Sequence, residues 1–167
     1  MTAKNEKAPT VTVCLIRHGK AGRGDEDSSR VLTDKGKEEA RWAGKRMGRL
    51  DPPVRLICSS PLARARETAE LISETLGGVR VEQTSELAPG VSVDELLRLI
   101  EARKGQGVLC FVGHMPDLGE LAAYLSWGER GRVMDIATGG MVLADVAGEE
   151  KMRGSVVRWV ASPDDPE

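Results

Sequence analysis

Apolar and polar positions fall along this chain in two alternating rhythms. Val11 to Ile16 is a short run of β-branched and apolar residues, and Val54 to Ser59 is a second, each the length of a buried strand. Gly107 to Gly113 is uninterrupted, the pattern of a strand covered on both faces. Val79 to Glu82, Met141 to Val146 and Val156 to Val160 predict shorter strands. Between these runs the apolar residues recur at three- and four-residue spacing. Ala40, Ala43, Met47 and Leu50 predict a helix opened by Thr33 or Asp34 and stopped by Asp51-Pro52-Pro53. Leu62, Ala65, Ala69, Ile72 and Leu76 predict another, with Ser60 as its cap, Pro61 at its first position and Gly77-Gly78 at its end. Ser92 and Glu95 form a capping box ahead of Leu96, Leu97, Leu99 and Ile100, and Pro116 opens a helix over Asp117 to Ser126.

Strands alternating with helices over short connections predict an α/β domain at residues 10–161, with helices on both faces of its sheet. Residues 1–9 and 162–167 carry no periodic apolar face and are expected to be disordered tails. There is no internal repeat, and the pattern leaves strand order open.

Composition narrows the partners. The 167 residues are 40% hydrophobic and 30% charged, ordinary for a soluble globular protein. Aromatics at 3% and a formal net charge of -2 provide neither stacking platforms nor a basic footprint, so no nucleic-acid partner is expected. No apolar run is long enough for a bilayer and the N-terminus is polar, so no membrane partner is expected and the localisation reads as cytoplasmic. Cys14, Cys58 and Cys110 lie inside apolar runs, where reduced thiols act as small core residues, and lack the spacing and His partners of a zinc site.

The chemistry-bearing residues sit at the ends of the strands. The two histidines, His18 and His114, each follow an apolar strand and adjoin a glycine. Singly, each reads equally well as a structural histidine. Together they point to a shared site, because ligands of open α/β sheets bind beyond the carboxyl ends of the strands. Arg64 falls in the first turn of its helix, where the macrodipole disfavours a cation unless an anion is bound. It also reads as a solvated surface arginine. The glycine-containing, charged loop Ala21 to Arg30 is either a plain connection or a substrate-contacting element.

Arg17, Arg64 and two histidines describe a pocket for a phosphoryl group, whose charge they can neutralise without a metal or other cofactor. The chain has no P-loop, no dinucleotide-binding glycine fingerprint, no nucleophile elbow and no H-E-x-x-H.

These residues also carry a family resemblance. Leu15-Ile16-Arg17-His18-Gly19 resembles the Arg-His-Gly motif of the histidine phosphatase superfamily, the phosphoglycerate mutase-like proteins. Arg30-Val31-Leu32-Thr33 with Gly36, the segment Ser59 to Ala69 around Ser60-Pro61 and Arg64-Ala65, and Val112-Gly113-His114 resemble its later motifs, in family order. The short chain, the compact loop after Gly19 and Glu86-Leu87-Ala88-Pro89 look most like the SixA-type phosphohistidine phosphatases.

The resemblance implies a three-layer sandwich with a mixed, mainly parallel sheet, and a covalent phosphohistidine intermediate. It makes His18 the nucleophile, Arg17 and Arg64 the ligands of the phosphoryl oxygens, and His114 a hydrogen-bond or proton donor to the transferring group. Arg30 is a further candidate for substrate contact. The family's leaving-group acid would fall near Pro89, and Glu86 is the nearby candidate, without a secure match. Lack of such an acid favours a phosphohistidine protein as substrate, because a P–N bond breaks with less assistance than an alkyl ester. A phosphatase for small phosphorylated substrates, monoesters or nucleotides, using Glu86 as acid is the alternative, and a non-catalytic phosphoryl-binding module is another. A nucleophilic His18 must be neutral, so activity should fall in acid, with Arg17 and Arg64 lowering the pKa and softening that fall.

Overall fold

A computed structural model describes residues 10–105, 107–147 and 155–166. Six strands and four helices follow in the order β1 Thr10–Arg17, α1 Asp34–Met47, β2 Val54–Ser59, α2 Ala63–Thr75, β3 Val81–Gln83, α3 Val93–Ala102, β4 Val108–Gly113, α4 Asp117–Trp127, β5 Met141–Ala147 and β6 Val156–Ala161. The expected fraying of residues 1–9 lies outside the described residues, as does Glu167.

The strands form one mixed sheet in the order β3-β2-β4-β1-β5-β6. β1, β2, β3 and β4 run parallel, while β5 lies antiparallel to β1 and β6 antiparallel to β5. Strand alternation sorts side chains to two cores. Val13, Leu15, Leu109 and Phe111 pack with Leu96, Leu99, Leu118 and Leu121 of α3 and α4. Cys14, Ile16, Ile57 and Cys110 pack with Ala43, Met47, Ala65 and Ile72 of α1 and α2. The result is the expected three-layer sandwich. Full burial of each Leu, Ile or Phe contributes about 1.5–3 kcal/mol, and every residue of β4 is buried, so the centre of the sheet is its firmest part. The three cysteines are free thiols within these layers.

Caps explain most helix starts. Thr33 Oγ1 accepts from Gly36 N at 3.1 Å to open α1, a contact of about 1 kcal/mol. Ser92 and Glu95 make the full reciprocal capping box of α3. Ser60 differs from expectation: α2 starts at Ala63 with Leu62 in the cap position and no side-chain cap, so Ser60-Pro61 lies ahead of the helix and Ser60 is free for another partner. Pro116 likewise occupies the cap position of α4 instead of its first turn. Residues 162–166 include a turn in which Asp165 N donates to Ser162 O at 3.0 Å and Asp165 Oδ2 accepts from Ser162 N at 2.7 Å. Turns closed by local hydrogen bonds need no apolar face, which is why periodicity gives no sign of them. Among the described residues no helix is long and apolar enough to cross a membrane.

Candidate active site

β1 and β4 are neighbours at the middle of the sheet and run parallel, with Arg17 in register with Gly113. That register sets the next residues, His18 and His114, side by side at the carboxyl edge. His18 N donates to Gly113 O at 3.1 Å, and the ring centroids are 5.2 Å apart. β2 flanks β4 on its other side, so the α2 N-terminus rises from the same edge and brings Arg64 to within 3.2 Å of the His18 ring, Nε to Nε2.

Hydrogen bonds define the state of His18. Its Nδ1 lies 2.7 Å from Gly19 O, and a carbonyl only accepts, so Nδ1 carries the ring proton and Nε2 presents a lone pair. That lone pair accepts from Arg64 Nε. Burial pushes the His18 pKa down to about 4; Arg64, Arg17 and Arg30 push the same way, and the Gly19 carbonyl works against them. The expected cause, the arginines, is thus real but second to desolvation. His114, 4% exposed, is held down to about 3 by burial and then by His18 and Arg64. Both rings are neutral at pH 7.

The backbone around His18 is clamped from three directions. Gly19 N donates to Thr68 Oγ1 at 3.0 Å, and that hydroxyl donates to Arg64 O at 2.7 Å, so one threonine ties the segment that follows His18 to the arginine's helix. Buried Glu39 accepts from Lys20 N at 2.7 Å and from Thr138 Oγ1 at 3.1 Å. Gly139 N donates to Arg17 O at 3.1 Å. Gly19 itself passes so close to α1 that a Cβ would stand 2.4 Å from Gly36 O. Its absent side chain therefore serves backbone packing against Gly36, where the sequence motif alone fixes no such partner.

Arg17 is partly buried, with Nη1 donating to Ile136 O at 2.9 Å and Nε buried without a protein partner. His114 Nδ1 is also buried and unpartnered, while its Nε2 lies 2.7 Å from Ser60 Oγ. Buried polar atoms without a partner among the described residues, here on two of the four, are costly, and the oxygens of an anion are acceptors that would satisfy them.

The loop after β1 makes a contact that no local pattern signals. Arg64 Nη1 donates to Asp27 O at 2.6 Å, Nη2 pairs with Asp27 Oδ2 at 3.0 Å, and Asp27 Oδ1 pairs with Arg30 Nη1 at 3.0 Å. Asp27 thus holds both outward nitrogens of Arg64. These arginine bonds keep its carboxyl below the usual carboxylate range, Arg64 first and Arg30 next. Arg30 Nε donates to Gly22 O at 2.8 Å, so Arg30 braces its own loop and reaches the site through Asp27. Glu86 is exposed, and its carboxylate bonds Thr84 Oγ1 at 3.3 Å; among the described residues no hydrogen bond joins it to the histidines or arginines.

Four of the six sequence candidates, Arg17, His18, Arg64 and His114, therefore converge, while Arg30 stands one residue removed and Glu86 apart. Asp27, Ser60, Thr68 and Glu39 escaped sequence reading. The doubled serine before Pro61 was the one available signal, since a cap needs only one. A groove of about 330 Å³ between α1 and α2, lined by Leu32, Lys37, Arg41 and Glu67 among others, contains none of the four. Its lining mixes basic, acidic and apolar side chains and includes no histidine or cysteine. Among the described residues no cluster of three or more His, Cys, Asp or Glu is placed to hold a metal ion.

Fold and site together define an α/β protein that offers imidazoles and guanidinium groups to an anion at the carboxyl edge of a central parallel strand pair. Residues 13–89 match the model of the histidine phosphatase superfamily, branch 1. An uncharacterised protein of Picosynechococcus is 34% identical over 133 residues, covering 77% of this chain and 81% of that one. The mitochondrial serine/threonine-protein phosphatase PGAM5 of Xenopus tropicalis is 35% identical over 91 residues, 54% of this chain but 33% of its own, so the chain spans about a third of that relative. The protein histidine phosphatase SixA, solved with tungstate, superposes with a TM-score of 0.79 at 25% identity over 92% of this chain and 97% of SixA. A SixA structure from Nakamurella multipartitia gives 0.78 at 26% identity over 96% and 100%. The chain belongs to the histidine phosphatase superfamily.

Proposed function

We propose that this protein is a phosphohistidine protein phosphatase that works in two steps through a phosphoryl group carried on His18. The observation that carries the reading is the state of that imidazole: proton fixed on Nδ1 by Gly19 O, bare Nε2 facing Arg64. In the first step Nε2 attacks phosphorus, a P–N bond to His18 forms, and the substrate's own P–N bond breaks, with the departing imidazole taking a proton from solvent. Arg64 Nε leaves the ring nitrogen for a phosphoryl oxygen, and Arg17 and His114 offer their unpartnered nitrogens to the others. In the second step water attacks phosphorus, its proton passes to solvent, and inorganic phosphate departs from a restored His18.

The substrate class follows from the proton donors at hand. Glu86 is tied to Thr84 at the surface, and Asp27 is held ionised by two arginines, so neither carboxyl is a ready acid for an alkoxide leaving group. A phosphorylated histidine asks least of such a site. The similarity to SixA, a protein histidine phosphatase, supports the same class. Three reduced core thiols suit a cytoplasmic setting.

Three comparisons test this. Steady hydrolysis of an aryl phosphate, lost in His18→Ala, separates an enzyme from a binding module. Faster turnover of a phosphohistidine protein than of sugar phosphates, unchanged in Glu86→Gln, is the expected substrate pattern; a sugar phosphate preference that collapses in Glu86→Gln would establish the small-molecule alternative. Intact-protein mass spectrometry after alkaline quench should find the phosphoryl adduct on His18, and an adduct on His114 would reverse the roles.

A further inference from the structure

Ser60 sits between β2 and α2, fully buried, with its backbone N donating to Val112 O at 3.0 Å so that it lies alongside the end of β4. Its Oγ has two neighbours. Leu62 N donates to it at 3.3 Å, and His114 Nε2 stands 2.7 Å away. A hydroxyl has one proton to give, and among the described residues the only acceptor that Ser60 Oγ reaches is that ring nitrogen. If His114 carried its proton on Nε2, Ser60 Oγ would accept from both that ring and Leu62 N, and the serine's own proton would have no acceptor among the described residues.

We infer that Ser60 is a positioning residue that fixes the tautomer of His114, donating to Nε2 so that the ring proton rests on Nδ1 and is offered to the phosphoryl group as a neutral hydrogen bond. The inference rests on the phosphatase reading for what Nδ1 is offered to. Independent support comes from Nδ1 itself, a buried nitrogen without a protein partner, on a ring 5.2 Å from that of the proposed nucleophile. The depressed basicity of His114 leaves the ring with a single proton, so its location is a choice that a neighbour can make.

The two histidines then share one tautomer and use opposite nitrogens. His18 gives its Nδ1 proton to a carbonyl and keeps Nε2 bare for attack. His114 accepts a hydrogen bond at Nε2 from a hydroxyl and keeps Nδ1–H for donation. The difference lies wholly in the partner: an acceptor behind the first ring, a donor behind the second.

The test is long-range ¹H–¹⁵N imidazole correlation on the full chain at neutral pH, with and without inorganic phosphate, alongside aryl phosphate kinetics. Wild type should show His114 protonated at Nδ1, with that resonance moving on addition of phosphate. Ser60→Ala should lose the single-tautomer pattern and drop kcat about 10–100-fold with KM changed less than about threefold, as outer partners of functional imidazoles do. Ser60→Thr, which keeps the hydroxyl, should restore both. An Nε2–H tautomer in wild type, or a Ser60→Ala protein with wild-type tautomer and kcat, overturns the inference. If Ser60→Ala does not fold, the wild-type spectrum still decides. Absence of hydrolysis by wild type would sink the phosphatase reading while leaving the tautomer result to stand on its own.

Discussion

His18, His114 and Ser60 stand at the ends of central strands, the last two buried and His18 partly so, all braced by backbone, whereas Asp27 and Arg30 stand on a loop where the Asp27 side chain is 64% exposed. Arg64 belongs to both regions: its Nε serves the imidazole and its Nη atoms serve the loop. The strand-end half is held by buried backbone bonds and packed cores, which suits groups that must meet a transferring phosphorus within a fraction of an ångström. In the loop half Asp27 and Arg30 are open to water while their partner Arg64 is 6% exposed, and an incoming phosphoryl dianion would compete with the Asp27 carboxylate for the Arg64 Nη atoms. On the proposed reading, chemistry falls to the rigid half and admission to the loose half.

The sharpest way to break that division is His18→Ala, which should reduce aryl phosphate hydrolysis to the assay background; turnover surviving it would move the chemistry elsewhere. Next comes Arg64, shared by both halves. Arg64→Ala should lower kcat/KM by about 10²–10³, as loss of one preorganised charge donor does, and Arg64→Lys should recover only part because the fork that spans His18 and Asp27 is lost.

Acidity gives a middle-sized test. With its pKa at about 4, His18 stays neutral well below pH 6.5, so kcat/KM, corrected for substrate ionisation, should stay flat to about pH 5 and fall towards 4. An ordinary histidine would by pH 5.5 have lost about tenfold, and that outcome would show the imidazole to be solvated. The same shifts carry a stability consequence. Both histidines resist protonation when folded, so the unfolded chain binds more protons below pH 6.5, and the melting temperature should fall as pH drops from 6.5 through 4 towards 3.

The smallest effect belongs to the loop. Asp27→Ala frees Arg64 of a competing carboxylate, and product inhibition by inorganic phosphate at low salt should tighten about two- to fivefold with kcat little changed. Weaker phosphate binding in that variant would make Asp27 part of the binding machinery and erase the contrast between the halves.

Legibility in the sequence follows the same line. β4 was readable because a strand buried on both faces needs no polar position, and α3 because its cap and apolar spacing are local. Arg17, His18, Arg64 and His114 were readable because each lies at an element end, where strand or helix pattern and residue type coincide. Asp27 was not, since an acidic residue in a polar loop looks the same whether it faces water or an arginine 37 positions away. Ser60 was read as a cap because serine before proline fits one, and only its distance to His114 shows otherwise.

By itself the sequence determined the kinds of element, their order along the chain and the residue types waiting at their ends, because periodicity and capping act over a few residues. Tertiary structure alone decided that β4 inserts between β2 and β1, bringing Arg64, His114 and His18 to one edge, and that Asp27 pairs with Arg64 there. Strand order and loop docking depend on which buried surfaces fit each other across the whole fold, and no local pattern encodes that.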